Sequence, residues 1–425
     1  MPAQPVHGLL LLPPAPPPSS PSTLSVALSP PLSDTLKRLS KLANTTGSPS
    51  ILDIALPTPG FHRPAHEVTH RAQLFSNVQA HLRAVYTLIA GLCAENNYPT
   101  TGPRAIDIRI ILLAYNPSQP FSAAAQAART SPPAGVVDLP VLAVTPRPWT
   151  HIFIVHSEPG EALFTRFNAH ASEGITARTG PSWSAVRVRG GIQICSAGDA
   201  GPSVLSVPGG LRERQSFSSV ACWGVFDRLH FGHKLMLTMA AFLLPPGVPQ
   251  AAQLVVGLTE GPMLSEHAAH AAVQPVRERA RAIEDFLGGV LRFGTEAATK
   301  PPYSPDGMEI VPGVTVQCRR TENPYGPGTL DAGLEALVLA TESVQEAKAV
   351  NEGRWERHWE KLEVFEIGMV VAGESDEQAG KKVGSASLRR DVLRSDPGLN
   401  LPIVKVGNPA AHIVVAETEV DPIDL

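Results

Sequence analysis

The residues of this chain best suited to chemistry are two histidines, His230 and His233, in the stretch VACWGVFDRLHFGHKLMLTMAAFLL from Val220 to Leu244. They stand three apart, nearly one helical turn, so at a helix start both imidazoles face the same way. Free backbone N–H groups and the positive end of the helix dipole open at the same spot. Gly232, between them, has no Cβ and lets a phosphate approach the backbone. Lys234 adds a positive charge. Together these residues describe a phosphate site with two imidazole donors. The bland alternative is a pair of histidines that merely start a helix.

The elements that must position them are readable around the pair. Val220 to Phe226 is short, apolar and β-prone, and Asp227, Arg228, His230, Gly232 and His233 break the run. Lys234 to Leu244 then carries Leu235, Met236, Leu237, Met239, Phe242 and Leu243, dense enough for a buried helix. Pro245 and Pro246 stop it. From Ser219 onward strand and helix patterns alternate, which predicts a parallel sheet. Strands are expected at Gln253–Thr259, Met308–Cys318 and Leu334–Ala340, with Val364–Ala372 as the last central strand. Helices are expected at Glu278–Leu291, with Ala282, Ile283, Phe286 and Leu287 inward, and at Ser343–Lys361. Ser385–Leu393 opens a final helix.

The first half reads as a separate α/β region. Ile51–Leu56, Ala105–Ala114, Val136–Val144 and His151–Val155 have strand character, and Ala65–Ala94 has helical spacing. Pro13–Pro31 is expected to be extended or disordered, with Leu9–Leu12 as an edge strand. His62, His66 and His70 sit four apart, but His62 precedes Pro64, and surface histidines are the better reading than a metal site. Residues 196–218, rich in Gly, Ser and Pro, read as a linker. The organisation expected is a Pro/Ser-rich flexible segment (1–50), an N-terminal α/β region (51–205), a Rossmann-like parallel-sheet domain (215–400) and a tail (401–425).

Composition narrows the classes. A length of 425 residues predicts two or three domains, and 43% hydrophobic content is enough for sizeable cores. A net charge of −4 supplies no global basic field for nucleic acid. Cys93, Cys195, Cys222 and Cys318 lie far apart and fit no zinc spacing, so they are expected reduced and mostly buried. No apolar run is long enough to cross a bilayer. The first 36 residues hold no Lys or Arg, which argues against a secretory or organellar leader. The expected location is the cytoplasm, with the nucleus as a second compartment.

HFGH after GVFD resembles the HxGH signature of the α-phosphate nucleotidyltransferases. The fuller GVFDRLHFGHKLML looks like the eukaryotic and fungal pantetheine-phosphate adenylyltransferases of coenzyme A biosynthesis. Further segments resemble that branch: QLVVGLT at Gln253, QPVRERARAIEDFL at Gln274, NPYGPGTLDAGLEALVLATES at Asn323 and AVNEGRWERHWEKLEVFEI at Ala349. KKVGSASLRR at Lys381 resembles the family's Ser-rich phosphate signature ending in arginine, with Gly384, Ser385 and Ala386 at the hydroxyl positions and Arg389 at the arginine.

The resemblance implies a Rossmann-like fold and transfer of AMP from ATP to 4′-phosphopantetheine. It implies catalytic roles for His230, His233 and Arg389, and ATP contacts at Gly224, Phe226, Gly232, His233, Ser385 and Arg389. Lys234, Asn351 and Arg354 are the weaker acceptor-binding set. Mg2+ is expected with ATP, with no protein metal ligand assigned, although Asp227 is near in sequence. Other coenzyme A enzymes are the macromolecular partners implied. Three departures stand out: Val225 replaces a hydroxyl residue, Ser265 or His267 replaces a lysine, and one hydroxyl of three remains in the Ser-rich signature. They leave a second hypothesis, a catalytically impaired homologue that binds nucleotide as a scaffold subunit. No GxxxxGK[ST] phosphate loop occurs, so a fused kinase is not expected.

Overall fold

The structure, a computed structural model, describes residues 5–14, 21–58, 61, 70–102, 104–117, 135–173, 183–191, 216–245, 251–265, 272–294, 303–304, 307–323 and 325–371. Two sheets organise it. The first contains β1 (Val6–Leu11), β2 (Ser50–Pro57), β3 (Ile106–Ala114), β4 (Val137–Asp138), β5 (His151–His156) and β6 (Ser184–Arg189). Their order is β4-β3-β2-β1-β5-β6, with every neighbouring pair parallel. Helices α1 (Pro21–Thr46), α2 (Arg71–Glu95), α3 (Leu139–Val144) and α4 (Glu158–Glu173) connect them.

The second sheet contains β7 (Ser219–Gly224), β8 (Ala252–Thr259), β9 (Tyr303–Ser304), β10 (Gly307–Val311), β11 (Val314–Thr321), β12 (Ala336–Ala340) and β13 (Glu363–Ile367). Its order is β13-β12-β7-β8-β11-β10-β9. The five strands from β13 to β11 are parallel, and β10 and β9 add antiparallel at the edge. Helices α5 (Phe231–Phe242), α6 (Pro262–Ser265), α7 (Val276–Leu291) and α8 (Val344–Glu356) complete this unit. The chain is therefore α/β, with a Rossmann-like parallel sheet preceded by an additional α/β region, the class the alternating pattern predicts. From β7 the chain runs outward through β8 to β11, then returns with β12 to the other side of β7. The strand order reverses between β7 and β12, and an open parallel sheet takes its ligands beyond the strand C-termini at such a point.

Several elements differ from expectation. β1 is not an edge strand: it lies between β2 and β5. Over the described residues from Pro21, the stretch read as extended is helical, with Pro30 and Pro31 inside α1. Leu24, Leu28, Leu32, Leu36 and Leu39 are each at most 4% exposed. This stripe at helical spacing outweighs the two missing N–H donors. Val136–Val144 is mainly the short helix α3, entered at Asp138 with a proline at its first turn. Met308–Cys318 is a hairpin rather than one strand, broken at Gly313, whose φ is +77°. β13 is an edge strand, not a central one. Ala282 is half-buried, whereas Ile283, Phe286 and Leu287 face inward as expected. Strand β6 and helix α4 are additional to the elements expected from the sequence pattern.

The two sheets share one core. A single apolar cluster runs from Leu52 and Ile108 of the first sheet through Phe75 and Tyr86 of α2 to Phe231 and Leu235 of α5, and on to Val220, Val256 and Phe365 of the second. Helix α2 thus buries side chains toward both halves. Cys93 and Cys222 are buried free thiols and Cys318 is a partly buried one. No helix among the described residues is long and apolar enough to cross a membrane.

Candidate active site at the start of helix α5

The site sits at the C-terminal end of β7, at the reversal of strand order. Between β7 and α5 the backbone makes a sharp turn in which Phe226 (φ +48°) and Arg228 (φ +45°) adopt the left-handed region. For residues with a Cβ this costs of the order of 1–2 kcal/mol each, so the surroundings must enforce it. Asp227, fully buried, accepts from the Gln274 backbone N–H at 3.0 Å and from Arg228 Nη1 at 2.8 Å. The Arg228 N–H donates to Gln274 Oε1 at 2.8 Å. Arg279, also fully buried, donates to the carbonyls of Val225 (2.7 Å), Thr259 (3.2 Å) and Gln274 (2.9 Å) and pairs with Glu260. One guanidinium therefore ties the C-terminal ends of β7 and β8 to the start of α7.

On this frame His230 occupies the N-cap of α5 with extended backbone, and its carbonyl accepts the first helical bond from Lys234 N–H at 3.0 Å. The rings of His230 and His233 stack with centroids 3.7 Å apart and planes inclined by 22°. Both residues are half-buried. Phe226 lies behind them, its ring 5.0 Å from that of His233. A Cβ on Gly232 would stand 3.2 Å from Cε1 and Nδ1 of His230, a tight contact to which that ring would have to yield slightly. Two imidazoles thus stand at the first N–H groups of a helix, an arrangement that can donate to a phosphate and to charge developing on it.

The other predicted site residues divide. Gly224, half-buried at the end of β7, lies beside the turn. Phe226 is wholly buried and supports His233 from behind. Lys234 is turned away from the imidazoles: its ammonium, 5% exposed as a residue, donates to Asp107 Oδ1 at 2.6 Å and to the Ile108 carbonyl at 2.9 Å on β3. Asn351 clamps the Leu362 backbone, donating to its carbonyl at 3.1 Å and accepting from its N–H at 2.8 Å. Arg354 is fully buried, and its five N–H donors go to the carbonyls of Glu360, Gly328, Asp331, Ala332 and Leu334. In this structure each side chain of the expected acceptor set is engaged: Asn351 and Arg354 brace backbone, and Lys234 sits in a half-buried ion pair with Asp107. Ser385, Arg389, Gly384, Ala386 and His267 lie outside the described residues, as do His62 and His66. His70 is exposed at the start of α2.

Among the described residues no group of three or more His, Cys, Asp or Glu is placed to hold a metal. Asp227 does not fit that role, because its carboxylate is buried and engaged by Arg228 and Gln274. Sequence reasoning missed Arg279 as the brace of the turn. Its signal was present: it stands at i−4 and i−7 from Ile283 and Phe286, on the apolar face of its helix.

With this geometry in view, likeness to known proteins becomes informative. Residues 1–194 match a protein family described as a domain of unknown function (DUF8446). Over 176 residues the chain is 29% identical to the phosphopantetheine adenylyltransferase of Methanopyrus kandleri, covering 41% of this chain and 91% of that protein. It is 25% identical over 181 residues to the protein of the same name from Saccharomyces cerevisiae, covering 43% of this chain and 50% of the yeast protein. The chain thus spans about half the length of that yeast relative. A crystal structure of a protein with unknown function from Archaeoglobus fulgidus is 24% identical, with a TM-score of 0.26, covering 35% of this chain and 88% of that one. Several relatives of this chain therefore bear a nucleotidyltransferase's name.

Proposed function

We propose that this chain is a pantetheine-phosphate adenylyltransferase, transferring AMP from ATP to 4′-phosphopantetheine to give dephospho-coenzyme A and pyrophosphate. The observation that carries the reading is the stacked His230–His233 pair at the N-terminus of α5, at the reversal of strand order. The names of the archaeal and yeast relatives support it. An oxygen of the acceptor phosphate attacks the α-phosphorus. The bond from that phosphorus to the bridging oxygen breaks, and its electron pair leaves with pyrophosphate. Such a transfer needs positioning and charge stabilisation rather than a covalent intermediate.

In this reading the two imidazoles and the helix start donate to the α-phosphate as its charge redistributes. Ser385 and Arg389 are proposed, on the sequence match alone, for the β- and γ-phosphates. Magnesium is proposed to accompany the triphosphate as part of the substrate, held by no protein carboxylate assigned here. One observation favours a second reading, a nucleotide-binding scaffold subunit with impaired catalysis. The position beside the turn that would offer a hydroxyl is Val225, 9% exposed. Product analysis separates the two. The full chain incubated with ATP, magnesium and 4′-phosphopantetheine should yield the acceptor heavier by one AMP unit. ATP binding without that product would favour the scaffold.

A further inference from the structure

We infer that the N-terminal unit is a clamp on the catalytic helix, with Tyr86 and Asp107 as positioning residues for the two histidines. The inference rests on the proposed function for its meaning, but its geometry stands independently. In the run HFGHK the histidines point to one side of α5, and the residues interleaved with them point to another. Phe231 is stacked on the Tyr86 ring of α2, centroids 5.5 Å apart and planes inclined by 28°. Lys234, next to His233, is pinned by Asp107 at 2.6 Å and by the Ile108 carbonyl at 2.9 Å. Burial works against a charged Asp107. Lys234 and Arg109 more than offset it, and the carboxyl is held well below its usual range. The far end of α5 is gripped as well. Arg71 Nη1, from the start of α2, donates to the Phe242 and Leu244 carbonyls at 3.2 and 3.1 Å.

The first turn of α5 and its last carbonyls are therefore both fixed by the N-terminal unit. Held at both ends, α5 is restrained from sliding or rotating against α2 and β3, and the imidazoles inherit that constraint. Chemistry of this kind is sensitive to small displacements, because a shift of about 1 Å at the reacting groups can cost of the order of 100-fold in rate. On this account residues 1–194, which match a domain of unknown function, serve the active site from behind.

The test uses the full chain as wild type, Asp107→Asn, Asp107→Glu, Tyr86→Leu and Leu163→Ala. Leu163 lies in α4, fully buried in the separate apolar cluster on the far side of the first sheet, and controls for loss of stability alone. Turnover, KM for ATP, thermal midpoint and histidine-ring NMR are measured for each. Asp107→Asn and Tyr86→Leu should lower kcat by about tenfold or more, with KM changing less than about threefold. Asp107→Glu should recover most of the rate, and Leu163→Ala should lose stability but not kcat. Equal kcat losses in Asp107→Asn and Leu163→Ala at matched thermal midpoints would overturn the clamp. If the wild type does not turn over, the proposed function fails and the NMR arm decides the clamp. Shifted His230 and His233 ring resonances in Asp107→Asn, but not in Leu163→Ala, support it; unchanged resonances overturn it. Should Asp107→Asn not fold, Tyr86→Leu and Asp107→Glu carry the same readouts.

Discussion

His233 is the side chain on which the account depends most, and its environment says how it should respond to change. Its ring rests between His230 and Phe226, so His233→Ala removes an oriented donor and leaves the Asp227, Gln274 and Arg279 bonds that hold the turn. The expected loss in kcat is of the order of 100-fold or more, with the thermal midpoint nearly unchanged; full activity in the variant would contradict the assignment. Gly232→Ala is expected to lower kcat less than His233→Ala does, because the added Cβ would sit 3.2 Å from the His230 ring and shift it only slightly. Kinetics alongside a folding check measure it, and a drop in stability without a drop in kcat would count against it. The two histidines and their glycine were legible in the sequence, because short-range spacing fixes which residues share a helix face. The fate of Lys234 was not: its partner, Asp107, is 127 residues upstream, and no local pattern announces so distant an ion pair.

At the scale of elements, buried arginines fix the loops at both ends of the sheet: Arg279 at the C-terminal ends of β7 and β8, Arg354 ahead of the starts of β12 and β13. Arg279→Met would strip donors from three carbonyls and a carboxylate, and should cost about 3 kcal/mol of stability together with a fall in kcat. Urea unfolding and turnover of one preparation measure both, and an unchanged kcat would show that the turn holds itself. Arg354→Met should cost a similar amount, about 3 kcal/mol, while leaving KM for the acceptor unchanged, since all five of its N–H donors already serve backbone carbonyls. A large rise in that KM would instead favour an acceptor role for Arg354. Strands β7 and β8 and helices α5, α7 and α8 could be read from periodicity because each is a short local pattern. Helix α1 could not, because its prolines signal extension and only the sheet it covers reveals what its leucine stripe is for.

At the scale of the whole molecule, a core shared by both sheets predicts one cooperative thermal transition, seen together by far- and near-UV circular dichroism. Two separated transitions would contradict it. The same interior predicts acid sensitivity in two windows. Burial pushes the His81 imidazole down to about 4, whereas an unfolded histidine titrates near about 6.5. Its contribution is complete above the unfolded value and is lost as pH falls toward 4. Burial would raise the Asp53 carboxyl, but Arg147 and His7 hold it at about 2. Its contribution is present above its unfolded value and is lost toward pH 2. The urea midpoint should fall in both windows, and His81→Leu should flatten the upper one; an unaltered slope there would refute the assignment. The α/β class of both halves was legible from alternating patterns. Their fusion through α2 was not, because sequence patterns show that a face is apolar but not which surface it meets.

The most direct test of the central claim is pyrophosphate release from ATP and magnesium by the full chain, with and without 4′-phosphopantetheine. The account predicts release that requires the acceptor and disappears in His233→Ala. A folded, ATP-binding protein that releases no pyrophosphate, or a His233→Ala variant as active as wild type, would contradict it.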